Sequence, residues 1–160
     1  MIVKSFEISR KKFDKQNIFL VYGENDGLKC EIIEILKKNL SGTIENCDEA
    51  QIINNHELFY EKILNQSLFE KEKIIIVNRC SEKIYVAIES IIEKISLDIK
   101  IIINANILEK KSKLRNLFEK SKKLIAIPTY KDTSVNLIEI AKNFFYNYKI
   151  SISQETINLL

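Results

Sequence analysis

Three apolar runs separated by amphipathic segments constrain the fold of this chain most strongly. Residues 18–22, 73–78 and 100–104 consist of Ile, Val, Leu, Phe and Tyr between polar ends. Such runs are typical of strands that are buried on both faces of a parallel sheet. Because parallel strands need crossover connections, we expect the intervening segments to form helices that cover both faces.

Two further segments complete the predicted sheet. Residues 43–47 alternate in polarity as a short strand does, and residues 124–127 form another apolar run that Pro128 is expected to end. Residues 1–17 either add a short leading strand or lie as an arm against the domain. The order of strands and helices predicts an α/β protein with a five-stranded parallel sheet and helices on both faces.

Apolar residues at helical spacing predict the helices between these strands. Asn25 or Asp26 is expected to cap the first helix. Ser81 is expected to cap a long helix that carries Ile84, Ile88, Ile91, Ile92 and Ile95. A helix over residues 56–65 is predicted to have on its inner side Leu58, Phe59 and Ile63, with Ile52, which precedes it, as a further candidate for that side.

The alternation of strands and helices stops after Tyr130. Thr133 or Ser134 begins a helix whose apolar positions continue to Tyr148, and Ser153 caps another. A pair of helices with apolar faces needs more partners than follow it here. We therefore expect residues from 132 onward to begin a separate helical domain that is truncated in this chain.

Composition limits the classes of protein that remain. Apolar residues make up 46% and charged residues 29%, and the net charge of +3 is too small to indicate nucleic-acid binding without a local excess. Cys30, Cys47 and Cys80 lack C-x-x-C spacing, which argues against a zinc site and a disulfide framework. His56 is expected to be a capping or surface residue. Apolar runs stay well below the length of a membrane span, so we expect a cytoplasmic protein without membrane contact.

The turn after the first strand lies where a phosphate-binding P-loop would be. Aligning G-x-x-x-x-G-K followed by Ser or Thr on Gly23 places Leu28 at the second glycine, Lys29 at the lysine and Cys30 at the hydroxyl. Leu28 obstructs the loop, and a thiol is a poor Mg²⁺ ligand. Lys29 is interpreted as a solvated helix residue, with weak phosphate affinity at the helix start left open.

The strand that would supply the metal-binding acid of a nucleotide site lacks that acid as well. Residues 73–78 are followed by Arg79, and the run ends in Asn78 where a metal-binding acid would be needed. The sequence therefore predicts a non-functional phosphate loop. It predicts no catalytic residue, no cofactor and no metal.

Residues 64–70, with the sequence Leu-Asn-Gln-Ser-Leu-Phe-Glu, connect the helix over 56–65 to the strand at 73–78. Leu68 and Phe69 are followed by four charged residues, which places a bulky apolar pair where a loop should face water. Two interpretations remain open. The pair either packs beneath the sheet or serves as an anchor for the pocket of a partner.

A cluster of cations follows the strand at residues 100–104. Two interpretations are weighed, a solvated helix face that also carries Glu109 and Glu119, and a contact with DNA phosphates. Lys111, Lys113 and Arg115 are the candidate DNA contacts. The whole cluster contains Lys110, Lys111, Lys113, Arg115, Lys120, Lys122 and Lys123.

Three segments together resemble the delta subunit of the bacterial DNA polymerase III clamp loader. They are the turn at residues 21–26 (Val-Tyr-Gly-Glu-Asn-Asp), the Ser-Leu-Phe element at 67–69, and residues 108–114 (Leu-Glu-Lys-Lys-Ser-Lys-Leu). Family members usually have acidic residues at the position of Asn25 and Asp at that of Glu109. The resemblance extends over the whole chain.

The resemblance implies a fold of the AAA+/P-loop type. Residues 1–131 would form a clamp-binding AAA+-like domain without a working P-loop. Residues 132–160 would be the first helices of a truncated lid domain. The implied protein binds the sliding clamp, which is the beta subunit, and opens the ring for loading onto DNA during replication. It does not itself hydrolyse ATP, although the holoenzyme would be classed as a DNA-directed DNA polymerase.

The resemblance also implies roles for individual residues. Leu68 and Phe69 would enter the hydrophobic groove of the clamp, while Ser67 and Gln66 shape the approach and Leu64 belongs to a wider contact. Other loader subunits would bind through the missing C-terminal regions. DNA would be bound as part of the assembled complex.

Two alternatives have sequence features that distinguish them. A diverged P-loop nucleotide-binding protein is opposed by Leu28 and Cys30. A signalling receiver domain needs an acidic pair after the first strand, Asp after the third and Lys after the fifth. The corresponding places hold Gly23 with Glu24, Asn78 with Arg79, and Pro128 with Thr129, although Lys131 lies close to the last of them.

Overall fold

The computed structural model of the chain describes residues 1–13, 15–64, 72–96 and 98–157, without the side chains of Leu64 and Gln154. These residues form two compact units, Met1–Thr129 and Tyr130–Leu160. The first unit contains the sheet.

The sheet has five strands, and every pairing in it is parallel. Its order is β2-β3-β4-β1-β5, so that β1 lies between β4 and β5. The predicted α/β fold class is confirmed. The strands are β1 (Ile18–Gly23), β2 (Thr43–Asp48), β3 (Lys73–Cys80), β4 (Ile99–Ala105) and β5 (Ile125–Thr129).

Helices cover both faces of this sheet. Leu20, Val77 and Ile103 belong to a core on one face that is completed by residues of α2 to α5. On the other face, Val21 and Ile102 pack with α1 and the amino-terminal segment. The helices of this unit are α1 (Asp26–Asn39), α2 (Glu49–Asn54), α3 (His56–Leu64), α4 (Tyr85–Ile91) and α5 (Lys113–Lys120), with short 3-10 helices at Ser5–Arg10 and Glu82–Ile84.

Strand β5 was predicted to end before Pro128. It instead continues to Thr129, and Pro128 lies opposite Tyr22 of β1. Proline lacks a backbone N–H and is tolerated where one side of a strand is not needed for pairing. Ile2 forms a short bridge to Ala126 on that side, and the bridge ends before Pro128. The leading residues therefore add a minimal strand.

The prediction of one long helix after Ser81 is also wrong. A 3-10 turn comes first, and α4 then ends at Ile91, whose carbonyl accepts hydrogen bonds from the N–H groups of both Lys94 and Ile95 at 2.9 Å. The paired bonds close a turn from which the chain returns to β4. Isoleucine loses side-chain freedom in a helix, so a segment rich in isoleucine favours an early end of the helix.

The helix predicted over residues 56–65 is present as α3, within the described residues up to Leu64. Ile52 belongs to a separate short helix, α2, which is capped at Asn55. Phe59 and Ile63 are buried as predicted, whereas Leu58 is half exposed. His56, the first residue of α3, is partly buried.

The second unit contains α6 (Ser134–Asn147) and α7 (Gln154–Ile157). Thr133 caps α6 by accepting a hydrogen bond from the N–H of Asn136. None of the α6 side chains is buried, and Ile140 and Phe144 are more than half exposed. Within the described ranges, no helix is both long and apolar enough to cross a membrane.

Gly23→Ala is expected to lower the free energy of unfolding by about 3 kcal/mol or more. Gly23 has a φ of 141°, and an added Cβ would lie 2.0 Å from the backbone oxygen of Thr129. Urea denaturation of both proteins measures the difference.

Gly27→Ala is the matched control, because the nearest atom to its added Cβ is 3.6 Å away. Alanine is favoured in helices, so this variant should be as stable as the wild type or up to about 1 kcal/mol more stable. Equal stability of the two variants would contradict the close packing of the β1–α1 turn against β5.

Candidate functional site

The β1–α1 turn, where a phosphate would bind, is bonded to its own domain. The N–H of Glu24 donates to the carbonyl of Thr129 at 3.1 Å, and the N–H of Leu28 donates to Oδ1 of Asn25 at 2.9 Å. Asn25 is thus the cap of α1, one of the two residues proposed from the sequence. Backbone N–H groups of a P-loop must point to the phosphate, and these two are already used.

Lys29 is buried, with 4% of its surface exposed, which corrects the prediction of a solvated residue. Its Nζ donates a hydrogen bond to the carbonyl of Ala105 at 3.2 Å and lies 2.7 Å from a carboxylate oxygen of Asp26. Turning the ammonium towards a phosphate would leave the Ala105 carbonyl without this partner, at a cost of about 1–3 kcal/mol. The lysine therefore acts as a structural tie between α1 and β4.

The other two positions of the degenerate loop face different surroundings. Leu28 is half-buried and packs against the core beneath α1, whereas Cys30 is exposed. Because these side chains lie on different sides of the helix, they do not converge on one ligand. Gly23, Leu28, Lys29 and Cys30 thus do not form a phosphate cradle.

The carboxyl ends of β3 and β4 are joined by neutral groups. Nδ2 of Asn104 donates to Oδ1 of Asn78 at 3.3 Å. Arg79 adopts a left-handed φ of 56° at a bulge in β3, and its guanidinium forms an ion pair with Asp48. An amide pair carries no charge to neutralise Mg²⁺, so these positions lack the acid that nucleotide chemistry needs.

Glu45 of β2 holds the two flanks of residues 64–70. Its carboxylate forms an ion pair with Lys62 in the last turn of α3 and another, at 2.7 Å, with Lys73 at the start of β3. Hydrogen bonds from Lys62 and then Lys73 lower the pKa of Glu45. Leu64 ends α3.

The exit from this segment is fixed by backbone contacts. Gly42, with a φ of 133°, lies so close to Glu72 that an added Cβ would be 2.6 Å from the Glu72 carbonyl. The N–H of Thr43 donates to that carbonyl at 3.1 Å, and the N–H of Lys73 donates to Asp98 at 2.9 Å. The remaining predicted clamp-binding residues, Gln66, Ser67, Leu68 and Phe69, lie outside the described residues, and their role stays a prediction.

The start of α5 is capped by side chains. The carboxylate of Glu82 accepts hydrogen bonds from the Ser112 hydroxyl and from the N–H of Lys113, the latter at 2.6 Å. Oγ of Ser112 in turn accepts from the N–H of Arg115 at 3.0 Å. A carboxylate thus already occupies the position at this helix end where a DNA phosphate would otherwise bind.

Arg115 binds within the domain. Its Nε donates to Glu119 at 2.8 Å, its Nη1 donates to the Leu108 carbonyl at 3.2 Å, and the guanidinium lies 5.4 Å from the centre of the Tyr22 ring. Burial raises the pKa of Glu119, but hydrogen bonds from Tyr22 and Arg115 outweigh it and leave that pKa lowered. The guanidinium is therefore held as part of the α5–β1 packing.

The lysines beside Arg115 are placed differently. Lys111 is 87% exposed and pairs with Glu109 at 3.0 Å, and Lys113 is exposed at the first turn of α5. Of the three candidate DNA contacts, these two can present their charges to solvent. DNA contact remains a prediction for them.

Comparison with known proteins gave matches at the level of structure. No protein-family model and no curated protein sequence matches this chain. A Bacillus subtilis DNA clamp loader delta protein, YqeN, has 15% identity and a TM-score of 0.60, and the match covers 96% of this chain and 50% of that chain. A replication initiator DnaA bound to AMPPCP and single-stranded DNA has 13% identity and a TM-score of 0.56, covering 98% of this chain and 54% of that one.

A third similar structure is described as a DNA replication initiation factor. It has 13% identity and a TM-score of 0.51, and the match covers 98% of this chain and 53% of that chain. This chain thus spans about half the length of each matched structure. At these identities the comparison defines the fold alone, a five-stranded parallel α/β fold that this chain shares with a clamp loader delta protein and with DnaA. The resemblance to the delta subunit is confirmed at that level.

Lys29→Met should lower the free energy of unfolding by about 2 kcal/mol, because it keeps the aliphatic stem and removes the donor to Ala105. The variant should retain no less labelled ATP in a filter-binding assay than the wild type, for which we expect retention at background level.

Lys37→Met is the control for this change, since Lys37 forms an exposed pair with Glu34 on the same helix. It should alter stability by no more than about 0.5 kcal/mol. ATP retention by the wild type that is lost in Lys29→Met would contradict the structural role of Lys29.

Glu45→Gln should reduce stability in a pH-dependent manner. The folded-state pKa of Glu45 lies below its ordinary 4.5, so the wild-type advantage is fully present above pH 4.5 and is lost as pH falls through the lowered pKa. Partial exposure limits the advantage to about 1 kcal/mol. Chemical denaturation of both proteins from about pH 7 to about pH 3 measures it.

Glu57→Gln serves as the control on the exposed side of α3. It makes the same change of charge without removing the pair of lysine contacts. A stability difference between wild type and Glu45→Gln that stays constant down to about pH 3 would contradict the bridging role of Glu45.

Proposed function

We propose that this chain is the clamp-binding part of a clamp-loader delta subunit. It binds the DNA polymerase III sliding clamp and opens the ring for loading onto DNA, without hydrolysing ATP. The observation that carries the proposal is a clamp-loader-like AAA+ fold whose phosphate-loop lysine, Lys29, is bonded internally to Ala105 and Asp26. A scaffold with that change supports binding of a protein partner more readily than hydrolysis of a nucleotide.

The anchor is the apolar pair Leu68 and Phe69, approached through Gln66 and Ser67. Burying both side chains in a groove would contribute about 4–6 kcal/mol of apolar transfer energy before the costs of association. Glu45 supports this role because it binds both flanks of the segment. Flanks that are already held reduce the entropy lost on binding.

Ring opening requires more than a tight grip. A ligand shifts a conformational equilibrium only by its difference in affinity for the two states, so the delta subunit must bind the open clamp better than the closed one. The contact therefore extends beyond the two-residue anchor. Leu64, at the end of α3, is the proposed start of that wider surface.

The assembly follows from the same proposal. Residues 1–131 form the clamp-binding domain, and residues 132–160 begin the helical lid. Other loader subunits bind through C-terminal regions, and Lys111 with Lys113 contacts DNA in the assembled cytoplasmic complex. Within that complex, the protein has no ATPase activity of its own.

A second candidate function is nucleotide binding by a diverged P-loop domain. The observation in its favour is the similar fold of DnaA, whose structure is bound to AMPPCP. The internal contacts of Lys29 and the amide pair of Asn78 and Asn104 oppose it. Retention of labelled ATP by the wild-type protein would favour this alternative.

Leu68→Ala combined with Phe69→Ala should abolish binding to the cognate sliding clamp and leave the melting temperature nearly unchanged. The physical reason is that an exposed apolar anchor contributes to the partner's pocket and not to the core. Surface plasmon resonance on immobilised clamp and circular dichroism measure the two quantities.

Leu58→Ala is the control, because it shortens a half-exposed leucine on α3, outside the proposed anchor. It should retain clamp binding. Unchanged clamp affinity in the double variant would contradict the proposal, and a large fall in its melting temperature would place both side chains in the core.

A further inference from the structure

A cavity of about 610 Å³ opens at the edge of the sheet where the strands begin. Arg10 and Lys12, from the end of the amino-terminal segment, line one side. Glu72, Asp98 and Lys100, from the starts of β3 and β4, line another. Of these five residues, the two from the amino-terminal segment are cations, and the three at the strand starts are two acids and one cation.

Two of its cations are available to a partner. Lys11, between them, pairs with Glu7 at 2.7 Å, and Lys100 donates to the carbonyl of Gln16 at 3.1 Å. Arg10 and Lys12 are exposed, and within the described ranges they form no ion pair. Their charges therefore project into solvent at the mouth of the cavity.

The cavity adjoins the segment that carries the proposed anchor. Glu72, in its wall, is the residue at which the described chain resumes after residues 65–71. Phe69 precedes Glu72 by three positions, so at most about 11 Å of extended backbone joins the two residues. The exposed cations thus lie at the edge of the sheet at which the described chain resumes after the segment of the anchor.

We propose that Arg10 and Lys12 form a second contact with the sliding clamp, pairing with carboxylates on its surface beside the groove that takes the anchor. This inference rests on the proposed function. Exposed cations pair with carboxylates, for which the arginine fork is well suited, and they raise the rate of association by steering the encounter. The anchor holds the partner, and the two cations orient its approach.

The mixed charge of the cavity favours a protein over a nucleic acid. Glu72 and Asp98 line the same cavity as the two cations, and their carboxylates would repel a continuous polyanion such as DNA. A protein surface can place carboxylates opposite Arg10 and Lys12 without also placing them opposite Glu72 and Asp98. The cavity is therefore suited to a surface with discrete charges.

Association kinetics with the immobilised cognate clamp test the proposal, using wild type, Lys12→Glu, and Arg10→Glu combined with Lys12→Glu. At low salt the association rate constant should fall about three-fold in the single and about ten-fold in the double variant. The differences should shrink at about 0.5 M salt, while dissociation rates change less than about two-fold. Unchanged melting temperatures would show that each variant is folded.

Lys83→Glu is the matched control, an exposed lysine that follows the opposite end of β3. It should associate like the wild type. Equal rates for Lys12→Glu and Lys83→Glu would overturn the inference while leaving the proposed function intact. Absence of clamp binding by the wild type, or full binding by the Leu68 and Phe69 double variant, would overturn the proposed function and the inference with it.

Binding of a labelled single-stranded oligonucleotide to the wild type and to Lys12→Glu tests the alternative of a nucleic-acid site. No change in its binding between wild type and Lys12→Glu would support the protein contact. Loss of oligonucleotide binding in Lys12→Glu, together with unchanged clamp association, would overturn the inference in favour of a nucleic-acid site.

Discussion

The hydrogen bond from the Lys29 ammonium to the Ala105 carbonyl determines what this fold can do. In a phosphate loop the same lysine would have to remain available to a ligand. Here it is buried, balanced by Asp26, and joins the first helix to the central part of the sheet. The lysine thus serves the packing of the domain, and its charge is not available to a ligand at the carboxyl edge of the sheet.

The two edges of the sheet consequently differ in character. At the carboxyl edge, polar groups bind one another, as the pair of Asn78 with Asn104 and the capping of α5 by Glu82 show. At the amino edge, Glu45 joins the flanks of the segment that contains the proposed anchor, and Arg10 and Lys12 are exposed in a cavity that Glu72 also lines. An assembly that binds one partner at the amino edge leaves the other edge to support the domain. This division is what the proposal of a passive, clamp-gripping subunit requires.

The fold was predictable from sequence because apolar runs of strand length report burial on both faces directly. Features that depend on residues far apart in the sequence were not predictable in this way. Lys29 has the local pattern of a surface helix residue, and its burial follows from the position of Ala105, 76 residues away. Pro128 is compatible with β5 because of that strand's place in the sheet, which a local pattern does not contain. The cations Arg10 and Lys12 were not singled out, since their significance depends on the cavity that they share with Glu72.

The candidate site was predicted unequally. The failure of the phosphate loop followed from residue types, because Leu28 and Cys30 lack the chemistry that the motif needs. The anchor came from a resemblance in the order of short motifs, and its role remains a prediction. Glu45 was missed, although a carboxylate on a strand between two lysine-bearing flanks has a clear function once the strands are paired.

The most direct test of a nucleotide-independent clamp grip is calorimetric titration of this chain with its cognate sliding clamp, in the presence and absence of Mg²⁺ and ATP. The account predicts binding with the same Kd under both conditions. No binding to the clamp, or an affinity that depends on ATP, would contradict it.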